Sequence, residues 1–371
     1  MREKYVLEKQ TNYLIKGIAF FWFLTKIGSY KTWITERVYP VIPPISSLEN
    51  IPAFVHQFLF GASLSALLVV VCIKPNRWLL AVLFLLEVMS CSLDTVRWQP
   101  WEYMYLCFLL LVILNFYKRD NILILGHLFL VSVYIFSGLH KFSRSFLSLV
   151  WLNMFLRDFL GLSMDFILKY KLFFVGLLIP FFEVLLALLL LVSKSKRVIS
   201  YLLIGMHVSI LIFIGPFGLK YNSIVWLWNF AMIFILGIIY SKPMEGFNKK
   251  TIATNALFLV LWFVLPVFSF WGSWYQYFSF NLYSGKGDQM NICISGNVKE
   301  LKPYFEAEPN NFCKGSRYIN LQEWAFKEIK SAPIPEIEIQ RKIAVYLKKK
   351  YQKKSIQIIL YNWEENKMIK L

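Results

Sequence analysis

The sequence lacks the short motifs that mark the common soluble enzymes. It contains no phosphate-binding glycine-rich loop, no dinucleotide-binding fingerprint, no nucleophile triad and no residues spaced as metal ligands. Its 5 cysteines and 4 histidines form neither a CxxC pair nor a Cys/His cluster, so we expect no metal and no redox-cysteine site. No short apolar segment near the start ends in a small-residue cleavage site, so we expect the first apolar segment to be retained.

Long apolar runs are abundant in the chain. Of 371 residues, 57% are hydrophobic and 18% are aromatic. A bilayer core of ~30 Å is crossed by about 20 helical residues, and runs of this length recur. The pattern predicts an all-α polytopic membrane bundle with about nine transmembrane helices, at 11–29, 53–73, 78–96, 99–117, 121–141, 172–193, 198–217, 222–241 and 251–271.

Two further segments differ from these runs. Residues 142–171 are amphipathic, with aromatic side chains between charged ones, which predicts an interfacial helix. From Gly272 onward the long apolar runs stop. We therefore expect a transmembrane domain over 1–271 and a small extracytoplasmic α+β domain over 272–371.

The basic residues predict orientation. An N-terminus in the cytoplasm places Lys74, Arg77, Lys118, Arg119 and the basic loops near 194–197 and 242–250 on the inner side. With nine spans, the C-terminal domain then lies outside a bacterial inner (plasma) membrane. The net charge of +18 fits topology and anionic lipid headgroups better than nucleic acid, and the run of lysines over 348–354 predicts a solvated helix face.

The C-terminal segment has the pattern of a small mixed fold. Residues 291–294 and 355–361 predict strands, Asn320 predicts a helix N-cap, and 336–353 predicts an amphipathic helix. Cys293 and Cys313 could close a loop of about 20 residues, worth about 3 kcal/mol. We favour this disulfide over two free thiols because the compartment is predicted to be oxidising.

Ionisable residues within the spans are few, and their cost in hydrocarbon predicts that most face the bundle interior. They are Glu87, Asp94, Glu102, His127, Lys141, Glu183 and His207, with His56 and His140 near span edges. For Glu87 and Glu183 we favour internal salt bridges or hydrogen bonds. His207 is followed by a glycine-rich helix end, and irregular backbone at that depth commonly lines a cavity.

Three segments, in order, resemble the vitamin K-dependent gamma-carboxylases. Residues 93–105, LDTVRWQPWEYMY, resemble that family's Leu-Asp-Lys-Thr segment followed by Trp-Asn-Asn-His-Ser-Tyr-Leu-Tyr. Residues 137–142, SGLHKF, resemble its Ala-Gly-Val-Lys-Lys-Leu. Met206 and His207, with FIGPF at 213–217, are similar to its His followed by Phe-x-Ile-Gly-x-Phe. The resemblance implies an HTTM-type membrane domain over about residues 10–270.

The resemblance also implies roles for particular residues. Lys141 matches the lysine that acts as base in hydroquinone oxygenation, and His140 replaces the lysine before it. The assisting histidine falls at Trp101, which cannot accept a proton, and the C-terminal segment is too short for the family's substrate-binding region. We therefore do not expect carboxylation of glutamate. The implied site is a cavity for a quinone or another lipid-soluble substrate, lined by Asp94, Trp98, Trp101, Glu102, His140, Lys141 and His207.

Two hypotheses follow from the sequence. In the first, the chain is a membrane enzyme in which Lys141 acts as base and His140 relays a proton. In the second, Lys141 only extends toward the headgroups, and the bundle is a non-enzymatic anchor for an exported domain that binds a protein partner. A transporter is disfavoured because no inverted repeat is apparent. A cavity faced by Lys141 would favour the first hypothesis, and a Lys141 side chain in lipid would oppose it.

Overall fold

The computed structural model describes residues 2–243, 249–296, 298–308, 311–313, 315–351, 356–362 and 365–371. The chain divides into two compact units, each built from separate segments. The first comprises Met1–Thr25, Ala62–Glu87 and Pro100–Gly285, and the second comprises Lys26–Gly61, Val88–Gln99 and Lys286–Leu371.

The described residues are mostly helical up to Trp271. The α-helices of this part are α1 (Arg2–Gly28), α2 (Tyr30–Trp33), α3 (Ala53–Cys72), α4 (Arg77–Ser92), α5 (Pro100–Leu114), α6 (Arg119–His140), α7 (Met164–Lys169), α8 (Leu172–Val175), α9 (Leu178–Val192), α10 (Lys196–Ile214), α11 (Ser223–Ile239), α12 (Lys249–Thr254) and α13 (Ala256–Leu259). Helix α13 continues as a π-helical turn (Val260–Val264) and a 3-10 helix (Leu265–Trp271).

Four helical segments among the described residues are long and apolar enough to cross a membrane. They are Ala53–Cys72, Arg119–His140, Leu172–Val192 and Lys196–Ile214. Three further helical segments are apolar but shorter, at Pro100–Leu114, Ser223–Ile239 and Ala256–Trp271. The predicted polytopic helical class therefore agrees with the structure, whereas the count of nine spans is not confirmed.

Helix α6 occupies the centre of the first unit. Its apolar window is 83% buried, against 28% for Leu172–Val192 and 22% for Lys196–Ile214. A helix enclosed by protein on most sides can carry polar side chains that a lipid-facing helix cannot. Helix α6 is therefore where intramembrane polar groups can be used.

The predicted interfacial segment is helical but has π geometry. A π-helix spans Phe146–Phe159, and α7 follows after a turn at Gly161, whose φ is +66°. The segment folds around its own apolar cluster, which includes Phe146, Trp151 and Ile167. The π-helix is rare, and the single-turn π-bulges in which it mostly occurs are frequent at functional sites. The location of this segment in a membrane interface stays a prediction.

The C-terminal part of the second unit contains a four-stranded antiparallel sheet. Its strands are β1 (Gln289–Ile294), β2 (Arg317–Asn320), β3 (Ile356–Asn362) and β4 (Lys367–Lys370), in the spatial order β2-β1-β3-β4. The register pairs Ile292 with Ile319 on β2 and with Ile358 on β3. The small sheet predicted from the sequence is confirmed.

Two helices accompany the sheet. Helix α14 (Leu321–Ile329) begins after Asn320, whose side chain accepts hydrogen bonds from the N–H groups of Gln322 and Glu323. Helix α15 (Ile337–Lys350) buries Ile339, Ile343 and Leu347. Both helices occur where the capping residue and the apolar spacing predict them. Of the predicted lysine run, Lys348, Lys349 and Lys350 form the last turn of α15, with Lys349 and Lys350 exposed, whereas Lys353 and Lys354 lie outside the described residues.

Two N-terminal segments belong to the same unit as this sheet. The hydroxyl of Thr32 donates to the carbonyl oxygen of Ile329 at 2.8 Å, and the Gln99 amide donates to the carbonyl oxygen of Ala332 at 2.8 Å. The sequence-based boundary at residue 271 assigned these segments to the transmembrane domain. Hydropathy gave no sign that they pack with a C-terminal sheet.

The predicted disulfide is confirmed. Cys293 on β1 is bonded to Cys313, with their Cα atoms 5.4 Å apart and a sequence separation of 20. Both cysteines are buried in a cluster with Ile359 and with the partly buried Phe312 and Tyr318. The bond therefore joins β1 to the segment that precedes β2.

Candidate functional site

A cavity of about 440 Å³ lies within the first unit. Side chains from α6, the π-helix, α9, α10, α11 and the segment after Ser279 form its wall. Most of the lining is apolar and aromatic, as in Trp151, Phe155, Phe182, Phe213 and Trp228. This volume and lining are typical of a small-molecule site.

Lys141 lies at the C-cap of α6 and faces this cavity. Its Nζ donates to Ser137 Oγ at 2.6 Å, to the Ser137 carbonyl oxygen at 3.3 Å and to Glu183 Oε2 at 2.7 Å. The Lys141 and Glu183 side chains are 12% and 6% exposed. The ammonium group thus lies in a largely buried ion pair and does not extend freely into lipid or headgroups.

Gly138 allows this ion pair to form. A Cβ atom at Gly138 would lie 2.6 Å from Val184 Cγ2 and 3.2 Å from the Pro180 carbonyl oxygen on α9. Only glycine therefore permits α9 to approach α6 so closely. Because Glu183 precedes Val184, the contact also brings the carboxylate to the Lys141 ammonium.

His207 lines the same cavity and lies in a chain of hydrogen bonds. The Asn229 amide nitrogen donates to the Val225 carbonyl oxygen at 2.8 Å, so its Oδ1 accepts from His207 Nδ1 at 2.7 Å. His207 Nε2 then accepts from the Tyr134 hydroxyl at 2.8 Å. A charged imidazolium would be costly in this buried, apolar surrounding, so we assign the neutral ring with its hydrogen on Nδ1, which makes Nε2 the acceptor of the Tyr134 hydroxyl.

A strained loop closes one part of the cavity wall. Tyr283 has a φ of +51°, a conformation uncommon for a bulky side chain. The Ser143 hydroxyl donates to the Ser284 carbonyl oxygen at 3.1 Å. A Cβ at Gly285 would lie 2.7 Å from the Ser145 carbonyl oxygen, so glycine is required there. Burial raises the pKa of the Tyr283 hydroxyl well above its usual value, so this group stays protonated.

His140 does not face the cavity. Its Nε2 lies 3.1 Å from Ser269 Oγ, and its ring stacks on Phe270 at 4.4 Å. Adjacent residues on a helix point in different directions, so His140 and Lys141 face different neighbours. The structure therefore does not bring His140 into position to relay a proton to Lys141.

Trp101 and Glu102 lie elsewhere in the first unit. The Trp22 indole donates to Glu102 Oε2 at 2.6 Å, and the Trp22 ring stacks on Tyr105 at 5.4 Å. Trp101 is buried beside Tyr105. Neither residue belongs to the described cavity wall, because α5 directs them toward α1 and its own aromatic neighbours.

Asp94 and Trp98 belong to the second unit. Asp94 pairs with Arg37 and accepts hydrogen bonds from the N–H groups of Ile42 at 3.2 Å and Val96 at 3.4 Å. It caps the 3-10 turn Thr95–Arg97, and Trp98 follows as a half-buried residue. Neither lines the cavity, because their segment folds with Lys26–Gly61 and not with α6.

The structure thus unites Lys141 and His207 and separates them from the other five predicted residues. The partners missed as site residues are Ser137, Tyr134, Glu183 and Asn229. Tyr134 and Ser137 could have been found from helical spacing, since residues 134, 137 and 141 share one face of α6. Glu183 was predicted to form an internal salt bridge or hydrogen bond; it forms an ion pair with Lys141, a partner that was not predicted.

Comparisons of the chain with protein-family models, with curated proteins and with solved structures found no match.

Proposed function

We propose that this chain is an integral membrane protein that binds a lipid-soluble molecule in the cavity of its first unit. The observation that carries this proposal is the apolar cavity of about 440 Å³ into which Lys141, Glu183 and His207 project. Ligand pockets typically combine an apolar lining with a few polar groups that orient the ligand. A cavity that is only a packing defect would not need polar groups in its wall.

The outer surface of the helices around this cavity supports a membrane location. Phe181, Leu188, Val192 and Leu202 are large apolar side chains and are about half or more exposed on α9 and α10. Exposed apolar faces of this extent are unfavourable in water and normal in hydrocarbon. We place the protein in a plasma membrane, with the cytoplasmic N-terminus that the basic loops favour.

The ion pair of Lys141 bears on its chemical role. Its Nζ donates to Glu183 Oε2 at 2.7 Å and to two oxygens of Ser137, so protein groups occupy the positions around Nζ that a substrate proton would need to reach. We therefore assign Lys141 to positioning Glu183 beside the cavity and propose no base catalysis by Lys141. A quinone or hydroquinone remains the ligand class that the resemblance to HTTM-type domains implies, and glutamate carboxylation is not proposed.

Mass spectrometry of co-purified lipids and quinones tests the proposal. We expect wild-type protein to carry a bound lipid-soluble species that is depleted at least several-fold in Lys141→Ala. The matched control is Lys194→Ala, which removes a lysine that is exposed and outside the cavity wall, and it should retain the species. The same pattern in all three proteins would contradict the proposal.

A further inference from the structure

The hydrogen bonds around Lys141 leave one charged atom for a ligand. All three N–H donors of the ammonium are used by Ser137 and Glu183 Oε2. Glu183 Oε1 accepts no hydrogen bond from any residue that the structure describes. Because Glu183 lines the cavity, the ion pair presents a hydrogen-bond acceptor to a ligand and no spare donor.

The hydrogen bonds through His207 also leave an acceptor, and no donor, toward the cavity. Its Nδ1 hydrogen is directed to Asn229, and the Tyr134 hydrogen is directed to His207 Nε2. What remains toward the cavity at this chain is the hydroxyl oxygen of Tyr134, again an acceptor. The protonated Tyr283 hydroxyl lines the wall as a group that can donate. A ligand headgroup that both donates and accepts therefore suits this lining.

Net charge decides among the ligand headgroups that can donate a hydrogen bond. Lys141 already neutralises Glu183, so the pair carries no net charge to compensate an ionised ligand in an apolar cavity. An anionic headgroup would also face the Glu183 carboxylate. A neutral hydroxyl group avoids both costs, whereas ethers and quinones cannot donate to Glu183 Oε1.

The exposed part of the cavity wall indicates where the rest of the ligand lies. Ile179 and Phe182 on α9 are 41% and 52% exposed, and Ser209 on α10 is exposed as well. All three residues line the cavity, so the cavity is open beside α9 and α10. In the proposed membrane placement these two helices face hydrocarbon, so an alkyl chain can extend through this opening.

We infer that the cavity binds a neutral long-chain alcohol, whose hydroxyl group donates to Glu183 Oε1 and whose chain leaves between α9 and α10 toward the bilayer. This inference rests on the proposed binding of a lipid-soluble molecule in the cavity. It departs from the quinone that the resemblance implies, because a quinone has no hydroxyl group to donate. It concerns binding only, and no bond of the ligand is made or broken.

Competition on the full wild-type chain in detergent tests the headgroup. The probe is hexadecanol with a photoreactive diazirine at the far end of its chain, and labelled peptides are identified by mass spectrometry. The competitors are hexadecanol, hexadecyl methyl ether, hexadecanoic acid at pH 8 and hexadecylamine. We expect labelling of α9 and α10 peptides, and displacement by hexadecanol at about 10-fold lower concentration than by the other three, as for one hydrogen bond to a charged acceptor.

A variant pair tests the acceptor. In Glu183→Gln the amide oxygen can stay on Lys141 while the amide NH₂ group faces the cavity, so the preference of the site for alcohol over ether should fall from about 10-fold to near 1. Asp165→Asn makes the same chemical change at an exposed residue outside the cavity wall and should keep the preference. If Glu183→Gln does not fold, the wild-type competition alone decides.

The outcomes separate this inference from the proposed function. Equal or stronger displacement by the ether, the acid or the amine would overturn the alcohol assignment and leave a lipid-soluble ligand in the cavity. A Glu183→Gln protein that folds and keeps the full alcohol preference would also overturn it. Absence of saturable labelling at the cavity by the probe, together with no co-purified species in wild type, would remove the proposed function and the inference together.

Discussion

Asp94 in the second unit and Glu183 in the first are both buried carboxylates paired with a basic side chain. They differ in how many of their carboxylate oxygens accept hydrogen bonds from the protein. Asp94 directs Oδ2 to Arg37 and Oδ1 to two backbone N–H groups. Glu183 directs only Oε2 to Lys141. Both looked alike in the sequence, as acidic residues in apolar surroundings.

Other buried charges of the second unit follow the pattern of Asp94. Arg97 donates to the carbonyl oxygens of Thr32, Ser90 and Trp33 at 3.2, 2.9 and 2.8 Å. Glu328 accepts from the N–H groups of Val38 and Tyr39. Such groups hold irregular backbone that secondary structure does not satisfy. A buried charge with every polar atom in use is structural, whereas one with an open atom beside a cavity is a candidate for binding.

The largest expected effect is that of Asp94→Asn on stability. The amide leaves Arg37 without its counter-charge and turns an NH₂ group toward backbone donors, so the free energy of unfolding should fall by about 3–5 kcal/mol. Chemical denaturation of the full chain, followed by tryptophan fluorescence, measures it. Asp158→Asn, at an exposed position, is the control and should change stability by less than about 0.5 kcal/mol. A cost for Asp94→Asn no larger than that of the control would refute the structural role.

Much of the fold could be predicted from local pattern. The apolar runs predicted a helical bundle, the Asn320 cap predicted the start of α14, and the positions of Cys293 and Cys313 predicted their bond. Strands β2 and β4 were missed because β2 buries one side chain and β4 buries none, so neither carries the apolar pattern that marks a strand in the sequence. The nine spans were not confirmed because several helices are too short for the bilayer criterion.

The site was predicted less completely, for a physical reason. The contacts that define it join Lys141 to Glu183 and Tyr134 to His207, across 42 and 73 residues of sequence. No local periodicity encodes such pairs, since they depend on which helices pack together. Proximity in sequence was also misleading, because His140 lies beside Lys141 in the chain and faces Ser269 in the fold.

The disulfide should contribute the next largest effect, and only the second unit has one among the described residues. Replacing both Cys293 and Cys313 by serine should lower the free energy of unfolding by about 3 kcal/mol, because the loop between them is then unconstrained in the unfolded chain. Reductant should lower the melting temperature of wild type and leave that of the double variant unchanged. An equal response of both proteins to reductant would show that this bond does not carry the effect.

Glu183→Gln should destabilise the protein less than Asp94→Asn. The remaining amide oxygen still accepts from Lys141, and the new NH₂ group faces the cavity instead of a backbone donor, so we expect a loss of about 1–2 kcal/mol. The same denaturation assay compares the two variants, with Asp165→Asn as the exposed control. If both substitutions cost the same, the proposed difference between a saturated carboxylate and an open one is wrong.

The smallest effects are expected at two helix caps, one in each unit. The Asn320 side chain accepts from two backbone N–H groups at 2.9 and 3.2 Å, whereas the Ser163 hydroxyl at the start of α7 accepts from one, that of Phe166, at 3.3 Å. Asn320→Ala should cost about 1 kcal/mol and Ser163→Ala about 0.5 kcal/mol, measured as shifts of the denaturation midpoint at constant slope. Asn320→Asp keeps the accepting oxygen and should retain most of the stability. A larger loss for Ser163→Ala would mean that α7, next to the cavity-lining π-helix, depends on its cap more than the helix beside the sheet does.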